Sequence, residues 1–189
     1  MSEEKRDMRW RVLDSQYVIR RPWLTARRDK VQLPNGIVHD EYYVLEYPDW
    51  INVIAETKDG QIIIERQYRH GIGDVCYEIC AGVIEKGETP LQAAKRELQE
   101  ETGFGGGEWQ EIMAISPNPG STNNISHCFY ARGVEKLFER HLDRTEDIEV
   151  NLFPRDKVFE MLNNGVFKQS LMIAPLWKYF YNMKMKDER

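Results

Sequence analysis

Residues 82–104, GVIEKGETPLQAAKRELQEETGF, contain a helix whose two ends can be recognised from the residues alone. Thr89 is a favourable N-cap, Pro90 is favoured at the first helical position, and Gln92 can complete a capping box with Thr89. Gly103 is typical of the position just after a helix, where the backbone becomes left-handed. The sequence therefore predicts one short helix between Thr89 and Gly103.

Three glutamates near the end of this helix are not explained by helix stability. Glu97, Glu100 and Glu101 have no Lys or Arg three or four residues further along. Like charges at that spacing cost roughly a few tenths of a kcal/mol each. A solvated polar face is the ordinary explanation. Oxygen ligands within one helical turn also suit Mg²⁺, which combines one or two carboxylates with substrate phosphates. The cluster therefore indicates either a solvated face or a magnesium site for a phosphate-bearing ligand.

Short β-prone runs lie on both sides of the helix, separated by turn signals such as the Asp59-Gly60 pair. Two further helices are expected near the end of the chain, at about 156–163 and 171–183. This order predicts an α+β protein with mixed strands, although periodicity alone does not decide whether the first three strands form a separate sheet. The predicted strands are 12–19, 23–31, 41–46, 51–57, 61–67, 75–79, 109–115, 126–133 and 149–153.

The composition is that of an ordinary globular protein. Of the 189 residues, 41% are hydrophobic and 30% are charged, so a core that needs no disulfides is expected. The formal net charge is −5 and the sequence has no basic stripe, which argues against nucleic acid or an anionic membrane as a partner. The N-terminal segment is charged and no apolar run approaches a membrane span, so a cytoplasmic location is expected.

Neither cysteine nor histidine forms a recognisable site in the sequence. The cysteines Cys76, Cys80 and Cys128 lack the close pairs of most zinc sites, and they are expected to be reduced thiols without a metal role. The four histidines show no pairing with a nucleophile and are expected to be structural.

The helix and the loop before it resemble a complete Nudix box, formed by Gly82, Glu88 and the run RELQEETGF at 96–104. The resemblance implies an α/β/α sandwich with a mixed sheet. It also implies Mg²⁺-dependent hydrolysis of a nucleoside diphosphate linked to another group, with Mn²⁺ as a possible substitute. The implied metal ligands are Glu97, Glu101 and the Ala81 carbonyl, assisted by Glu100. Glu88 and Arg96 are expected to brace the loop and helix by an ion pair, and Gly82 and Gly103 to be needed for the backbone.

Outside the box, the chain is similar to ADP-ribose and ADP-sugar pyrophosphatases over nearly its whole length. The matching segments are RQYR at 66–69, EICAG at 78–82, PG at 119–120 and EDIEV at 146–150, and the spacing from Trp23 to the Pro34-Asn35-Gly36 turn also fits. The similarity implies substrate contacts from Trp23, Arg66, Arg69, Glu78 and Gly120, with Trp23 stacking on the adenine.

The resemblance also implies two domains. Residues 1–47 are expected to form a small antiparallel sheet, which similar enzymes exchange between subunits, so a homodimer is expected; residues 48–189 are expected to form the hydrolase domain. Structural alternatives remain open for the substrate contacts. Arg66 and Arg69 can be ordinary solvated strand ends, Trp23 can be a core residue, and Glu78 can form a structural ion pair.

Two departures from the family affect the choice of substrate. Cys80 replaces the proline that usually precedes the Ala-Gly pair, and some GDP-mannose hydrolases of the superfamily have Cys-Ala-Gly there. The loop after Gly120 lacks a glutamate that several bacterial members carry. The expected reaction is hydrolysis of ADP-ribose or a related ADP-sugar to AMP and a sugar phosphate. The alternatives are hydrolysis of GDP-mannose or another nucleoside-diphosphate compound, and a catalytically silent nucleotide-sugar sensor.

A general base is sought outside the box, because the box glutamates would be occupied by metal. The acidic loop offers Glu146, Asp147 and Glu149. Glu146 is expected at the mobile end of the loop, and it falls at the position that supplies this carboxylate in the enzymes that the chain resembles. Catalytic roles are therefore expected for Glu146, Glu100 and Arg96. A solvated acidic turn is the alternative for the loop.

Overall fold

The computed structural model describes residues 6–187, which form two compact units. The first unit is the chain up to Tyr47 together with Asn118–Asn124, and the second consists of Pro48–Pro117 and the chain from Ile125 onward. Within residues 6–187, no helix combines the length and the apolar character that a membrane span requires.

The first unit contains a separate antiparallel sheet, the arrangement that periodicity left open. Its strands, in spatial as well as chain order, are β1 (Arg11–Arg21), β2 (Leu24–Gln32) and β3 (Val38–Glu46). The Asn118–Asn124 segment is bound to this sheet, because the Tyr42 hydroxyl donates to the Gly120 carbonyl at 2.6 Å.

The second unit is built on an eight-stranded mixed sheet. Strands β4 and β10 are parallel, and the remaining pairs are antiparallel. The order is β11-β5-β4-β10-β8, with β6 beside β5, β7 beside β4 and β9 beside β10. The strands are β4 (Trp50–Thr57), β5 (Gln61–Arg69), β6 (Asp74–Glu78), β7 (Cys80–Val83), β8 (Phe104–Gly105), β9 (Glu108–Ile115), β10 (Ser126–Lys136) and β11 (Glu149–Pro154).

Helices cover both faces of this sheet. Because side chains alternate along a strand, Ile51 and Val53 of β4 face one core and Ile54 faces the other. The first core includes residues of α1 (Pro90–Glu97), and the second includes residues of α2 (Arg155–Asn163) and α3 (Ser170–Asp187). The predicted α/β/α sandwich with a mixed sheet and a small N-terminal antiparallel sheet is confirmed.

The helix of the glutamate cluster begins and ends at the predicted residues, but its last turn is different. The Thr89–Gln92 capping box is formed, and Gly103 has a left-handed φ of 75°. A Cβ at Gly103 would also lie 2.6 Å from the Phe138 carbonyl oxygen, so glycine is required there. Between these ends, α1 stops at Glu97 and the chain continues as a five-residue π-helical turn, Leu98–Thr102. The short strands β7 and β8 were not predicted either.

A buried glutamate joins the sheet to the helices on the second face. Glu56 of β4 is 2% exposed and accepts hydrogen bonds from the hydroxyls of Tyr130 at 2.6 Å and Tyr179 at 2.8 Å. Arg155 of α2 donates to its other oxygen from Nε at 3.1 Å. Burial alone would raise the pKa of Glu56, but the hydrogen bonds from Arg155 and the two tyrosines outweigh it, and the pKa lies below its usual value. The charge is therefore fully paired.

We expect the Tyr179→Phe substitution to lower the free energy of unfolding by about 1.5–3 kcal/mol, because a buried carboxylate loses a donor. Tyr181→Phe is the matched control, since Tyr181 lies on the same helix and is 60% exposed. Urea denaturation of both variants measures the difference. Equal stabilities of the two variants would contradict this role for Glu56.

Candidate functional site

The guanidinium of Arg96 connects the loop before the helix to the glutamates at its end. It donates to the two carboxylate oxygens of Glu88 at 2.8 and 2.9 Å and to the Val83 carbonyl at 3.0 Å. Nη1 donates to Glu97 at 2.9 Å and to Glu100 at 3.1 Å. All three nitrogens thus bind protein acceptors. The bond to Glu88 is the main cause of the raised pKa of Arg96.

These contacts correct the view that the helix glutamates lack a cation at helical spacing. Arg96 lies four residues before Glu100 and pairs with it, so the cation precedes the carboxylate along the helix. The expected ion pair between Arg96 and Glu88 is present. With its donors engaged by the protein, Arg96 is better suited to brace the site than to contact a substrate.

The carboxyl group of Glu97 lies directly against the backbone at Gly82. A Cβ on Gly82 would overlap three atoms of the Glu97 side chain, Cγ, Cδ and Oε1. A larger residue at position 82 would therefore displace that side chain. The Glu97 side chain is 14% exposed. Burial is the largest cause of its raised pKa, and the hydrogen bond from Arg96 opposes it. Glycine at position 82 therefore allows the helix carboxylate to approach the backbone next to Ala81.

The π-helical turn directs Glu101 into the protein, where the residue is 4% exposed. Its Oε2 atom has no hydrogen-bond partner among residues 6–187. Burial raises the pKa of Glu101 to about 8, a hydrogen bond with the Cys80 thiol opposes this rise, and the negative charges of Glu97 and Glu146 add to it. A buried carboxylate oxygen without a donor is costly unless a proton or a cation compensates it.

The donors gathered here fit a divalent cation. Glu97, Glu100 and Glu101 place three carboxylates within about one helical turn, and the Oε2 atom of Glu101 has no hydrogen-bond partner among residues 6–187. The Ala81 carbonyl belongs to the residue before Gly82, against which the Glu97 carboxyl lies. Oxygen donors of this kind suit Mg²⁺ or Mn²⁺.

The acidic loop is fastened near these glutamates by a residue that the sequence did not reveal. Arg140 donates from Nε to the Glu101 carbonyl and from Nη2 to the Ile148 carbonyl, both at 2.6 Å. Glu146 is exposed and accepts from the Asp143 amide at 2.8 Å within the intervening turn. The negative charge of Glu146 helps to raise the pKa of Glu101. A lone arginine in a loop carries no sequence signal of this function.

The predicted substrate arginines are both engaged in ion pairs. Arg69 donates from Nε to the carboxylate of Glu78 at 2.9 and 3.1 Å, and the Glu78 residue is 1% exposed. Arg66 pairs with Glu149 at 3.0 Å. Both arginine side chains are nevertheless a little over 40% exposed. The structural pair proposed as the alternative for Glu78 is therefore present, and the two guanidiniums keep an accessible surface.

Trp23 and Gly120 belong to the first unit, whereas the other predicted site residues belong to the second. Trp23 is 83% exposed, so the alternative that it is a core residue is wrong.

A second residue missed from the sequence is Glu65, which is 1% exposed on β5. The available signal was a charge immediately after three consecutive isoleucines, Ile62 to Ile64, which read as a buried strand.

Comparisons with known proteins agree with this arrangement. Residues 47–174 match the NUDIX domain family, and residues 10–45 match the family described as the nucleoside diphosphate sugar hydrolase N-terminal domain. The chain is 38% identical to an ADP-ribose pyrophosphatase of Bacillus subtilis (strain 168). The match covers 65% of this chain and 66% of that protein, which is slightly less than two thirds of the relative's length.

A second relative is an ADP-ribose pyrophosphatase of Mycobacterium tuberculosis (strain ATCC 25618 / H37Rv), which is 30% identical over 78% of this chain and 72% of that protein. A crystal structure described as that of an ADP compounds hydrolase superposes with a TM-score of 0.84, covering 96% of this chain and 98% of the other. At 20% identity, that similarity shows the fold alone.

The raised pKa of Glu101 predicts how stability changes with pH in the metal-free protein. Its carboxyl has an ordinary pKa of 4.5 when unfolded and about 8 when folded, so the folded state binds the proton more tightly. Stability is therefore greatest below about pH 4.5 for this group and declines as pH rises towards 8, by at most about 1.4 kcal/mol per pH unit. Urea unfolding of chelator-treated protein should show this decline.

Glu101→Gln should make that decline smaller, because the titrating group is removed. Glu160→Gln is the control, since the Glu160 side chain is 58% exposed on α2, and it should retain the wild-type slope. If Glu101→Gln also kept the wild-type slope, Glu101 would not be the titrating group.

Proposed function

The chain belongs to the NUDIX domain family, and on that basis we propose that it hydrolyses the pyrophosphate bond of ADP-ribose or a related ADP-sugar, giving AMP and a sugar phosphate. The observation that carries this proposal is the cluster of helix glutamates, braced by Arg96 and containing a buried carboxylate oxygen without a donor. The two relatives described as ADP-ribose pyrophosphatases and the match of residues 10–45 support the nucleotide-sugar substrate.

The proposed cofactor is Mg²⁺, or Mn²⁺ in its place, held by Glu97, Glu101 and the Ala81 carbonyl, with Glu100 close by. When bound, the ion supplies positive charge that stabilises the negative charge developing on the pyrophosphate oxygens. Arg96 is a positioning residue in this scheme, because its hydrogen bonds fix the carboxylates of Glu97 and Glu100 before a ligand arrives.

The remaining steps are assigned to groups at the edges of the cluster. Glu146 accepts a proton from the attacking water, since it is exposed and its loop is fastened to the helix end by Arg140. Arg66 and Arg69 bind phosphate oxygens through their exposed surfaces. Glu78 orients Arg69 through the two-oxygen contact between them.

We further propose that residues 1–47 form a dimerisation domain and that residues 48–189 form the hydrolase domain. Strand β1 is exposed along its whole length and carries apolar side chains such as Val12, Val18 and Ile19. Apolar surface of this kind is typical of an interface, and a second copy of the chain is the proposed partner. Trp23 offers an exposed ring for the nucleobase, and Gly120 is proposed as a further substrate contact.

A substrate panel tests the proposal directly. The purified full-length chain with Mg²⁺ would be assayed against ADP-ribose, GDP-mannose, diadenosine polyphosphates and NADH, with products identified by chromatography. We expect the highest kcat/KM for ADP-ribose or an ADP-sugar, AMP and a sugar phosphate as products, and no turnover with excess chelator. A higher kcat/KM for GDP-mannose would show that the proposed substrate is wrong. Tight binding of a nucleotide-sugar without hydrolysis would indicate a sensor and not an enzyme.

Substitution of Glu146 and Glu149 tests whether the acidic loop supplies a catalytic base or is only a solvated turn. Glu146→Gln should lower kcat by roughly a hundred- to ten-thousandfold, while the affinity for a substrate analogue changes only a fewfold. Glu149→Gln is the comparison, because Glu149 pairs with Arg66 at the start of β11. If Glu149→Gln loses kcat and Glu146→Gln does not, the base has been misassigned.

Light scattering and steady-state kinetics together test the role of the first unit. We expect a homodimer, and we expect Trp23→Ala to raise KM more than it lowers kcat, because a binding contact is lost. Trp177→Ala is the control, since Trp177 is 44% exposed on α3. A fully active monomer, or equal kinetic effects of the two substitutions, would be inconsistent with this assignment.

A further inference from the structure

A second group of possible metal ligands lies behind the helix glutamates. Glu65 of β5, Cys80 of β7 and Glu101 of the π-helical turn bring one ligand atom each to within 4.8 Å of one another. The three residues are 1%, 1% and 4% exposed, so the group is enclosed by protein. We call it the Glu65–Cys80–Glu101 cluster.

The carboxylate of Glu65 lies in this cluster and accepts no hydrogen bond there from the described residues. Neither of its carboxylate oxygens has a hydrogen-bond partner in the part of the chain that the structure describes, residues 6–187. The nearby cation, Arg69, is bound through Nε to both oxygens of Glu78. Burial, then the negative charge of Glu101 and a hydrogen bond that the two carboxyls form when one of them is protonated, raise the pKa of Glu65. Either a shared proton or a bound cation compensates two carboxyls buried together in this way.

We propose that the Glu65–Cys80–Glu101 cluster binds Zn²⁺ through the Cys80 sulfur and the carboxylates of Glu65 and Glu101, and that the thiol proton is released to solvent as the metal–sulfur bond forms. Zn²⁺ accepts mixed sulfur and oxygen ligands, whereas Mg²⁺ accepts oxygen and rarely sulfur, so the thiol distinguishes this site from the proposed magnesium site. Tetrahedral zinc holds such ligand atoms roughly 3.4–3.7 Å apart, as its bond lengths require. The three ligand atoms already lie within 4.8 Å of one another, so local side-chain adjustment brings them to this spacing.

The two proposed sites share Glu101 but differ in their other ligands. Glu97 and the Ala81 carbonyl belong to the magnesium site alone, and Glu65 and Cys80 to the zinc site alone. Zinc binding does not depend on the proposed hydrolysis, and it is measurable in a protein with no turnover. In this proposal Cys80 has a metal role, whereas the expectation of reduced thiols without a metal role is kept for Cys76 and Cys128.

Cobalt substitution reports directly on a metal–sulfur bond. Chelator-treated full-length protein would be titrated with Co²⁺ in the absence of Mg²⁺, because Mg²⁺ would compete for the shared Glu101 and Co²⁺ bound by oxygen ligands alone gives no thiolate band. We expect a thiolate-to-cobalt charge-transfer band in the near ultraviolet that saturates at one equivalent and disappears when Zn²⁺ is added. After Zn²⁺ has displaced the cobalt and free metal has been removed by gel filtration, elemental analysis should find one equivalent of zinc per chain.

Two cysteine variants make the assignment specific. Cys80→Ala should abolish the band, and Cys128→Ala should retain it, because Cys128 is also buried but lies beside Asn52 and Ser126. Glu65→Gln should weaken Co²⁺ binding by at least about tenfold. Thermal melting establishes that each variant is folded. Absence of the band in the wild type, or its persistence in Cys80→Ala, would overturn the proposal and indicate that protons alone neutralise the cluster.

Discussion

The hydrogen bonds of one guanidinium set the geometry on which the rest of the site depends. Arg96 binds two acceptors in the loop, the Val83 carbonyl and Glu88, and two on the helix, Glu97 and Glu100. Without that cation, the helix carboxylates would repel one another. With it, the carboxyl of Glu97 is held against the backbone at Gly82, where a larger residue would displace it. A bidentate, planar donor is suited to such a task, and a lysine could not make the same contacts.

The site carries a cost in stability that other parts of the second unit offset. Glu65 and Glu101 are buried with carboxylate oxygens that no donor in residues 6–187 satisfies, which is unfavourable for folding. On the opposite face of the sheet, Glu56 is equally buried, yet it is bonded to an arginine and two tyrosines. The structural carboxylate of Glu56 is thus paired, whereas the unpaired carboxylates belong to the proposed metal sites. Functional sites commonly depart from the rules of stability in this way.

Local signals predicted the elements whose ends they encode. The capping box at Thr89 and the left-handed Gly103 fixed the helix, because these preferences act within a few residues. Strands β7 and β8 have four and two residues, and they exist because they pair with β4 and β10, which no local pattern reveals. The π-helical turn was missed for the same reason, since burial of Glu101 against β7 is a tertiary effect.

The candidate site divides along similar lines. The Nudix box identified the helix glutamates as a group, and their roles stay predictions. The role of Arg140 could not be predicted from the sequence, because its hydrogen-bond partners are backbone carbonyls at other places in the chain. In the function we propose, the cluster braced by Arg96 holds the divalent ion on which hydrolysis depends. Calorimetric titration of Mn²⁺ into wild type and Glu97→Gln, with turnover of ADP-ribose in the same samples, tests this most directly. We predict that Glu97→Gln weakens Mn²⁺ binding and lowers turnover by about a hundredfold or more. Wild-type Mn²⁺ affinity and turnover in Glu97→Gln would contradict it.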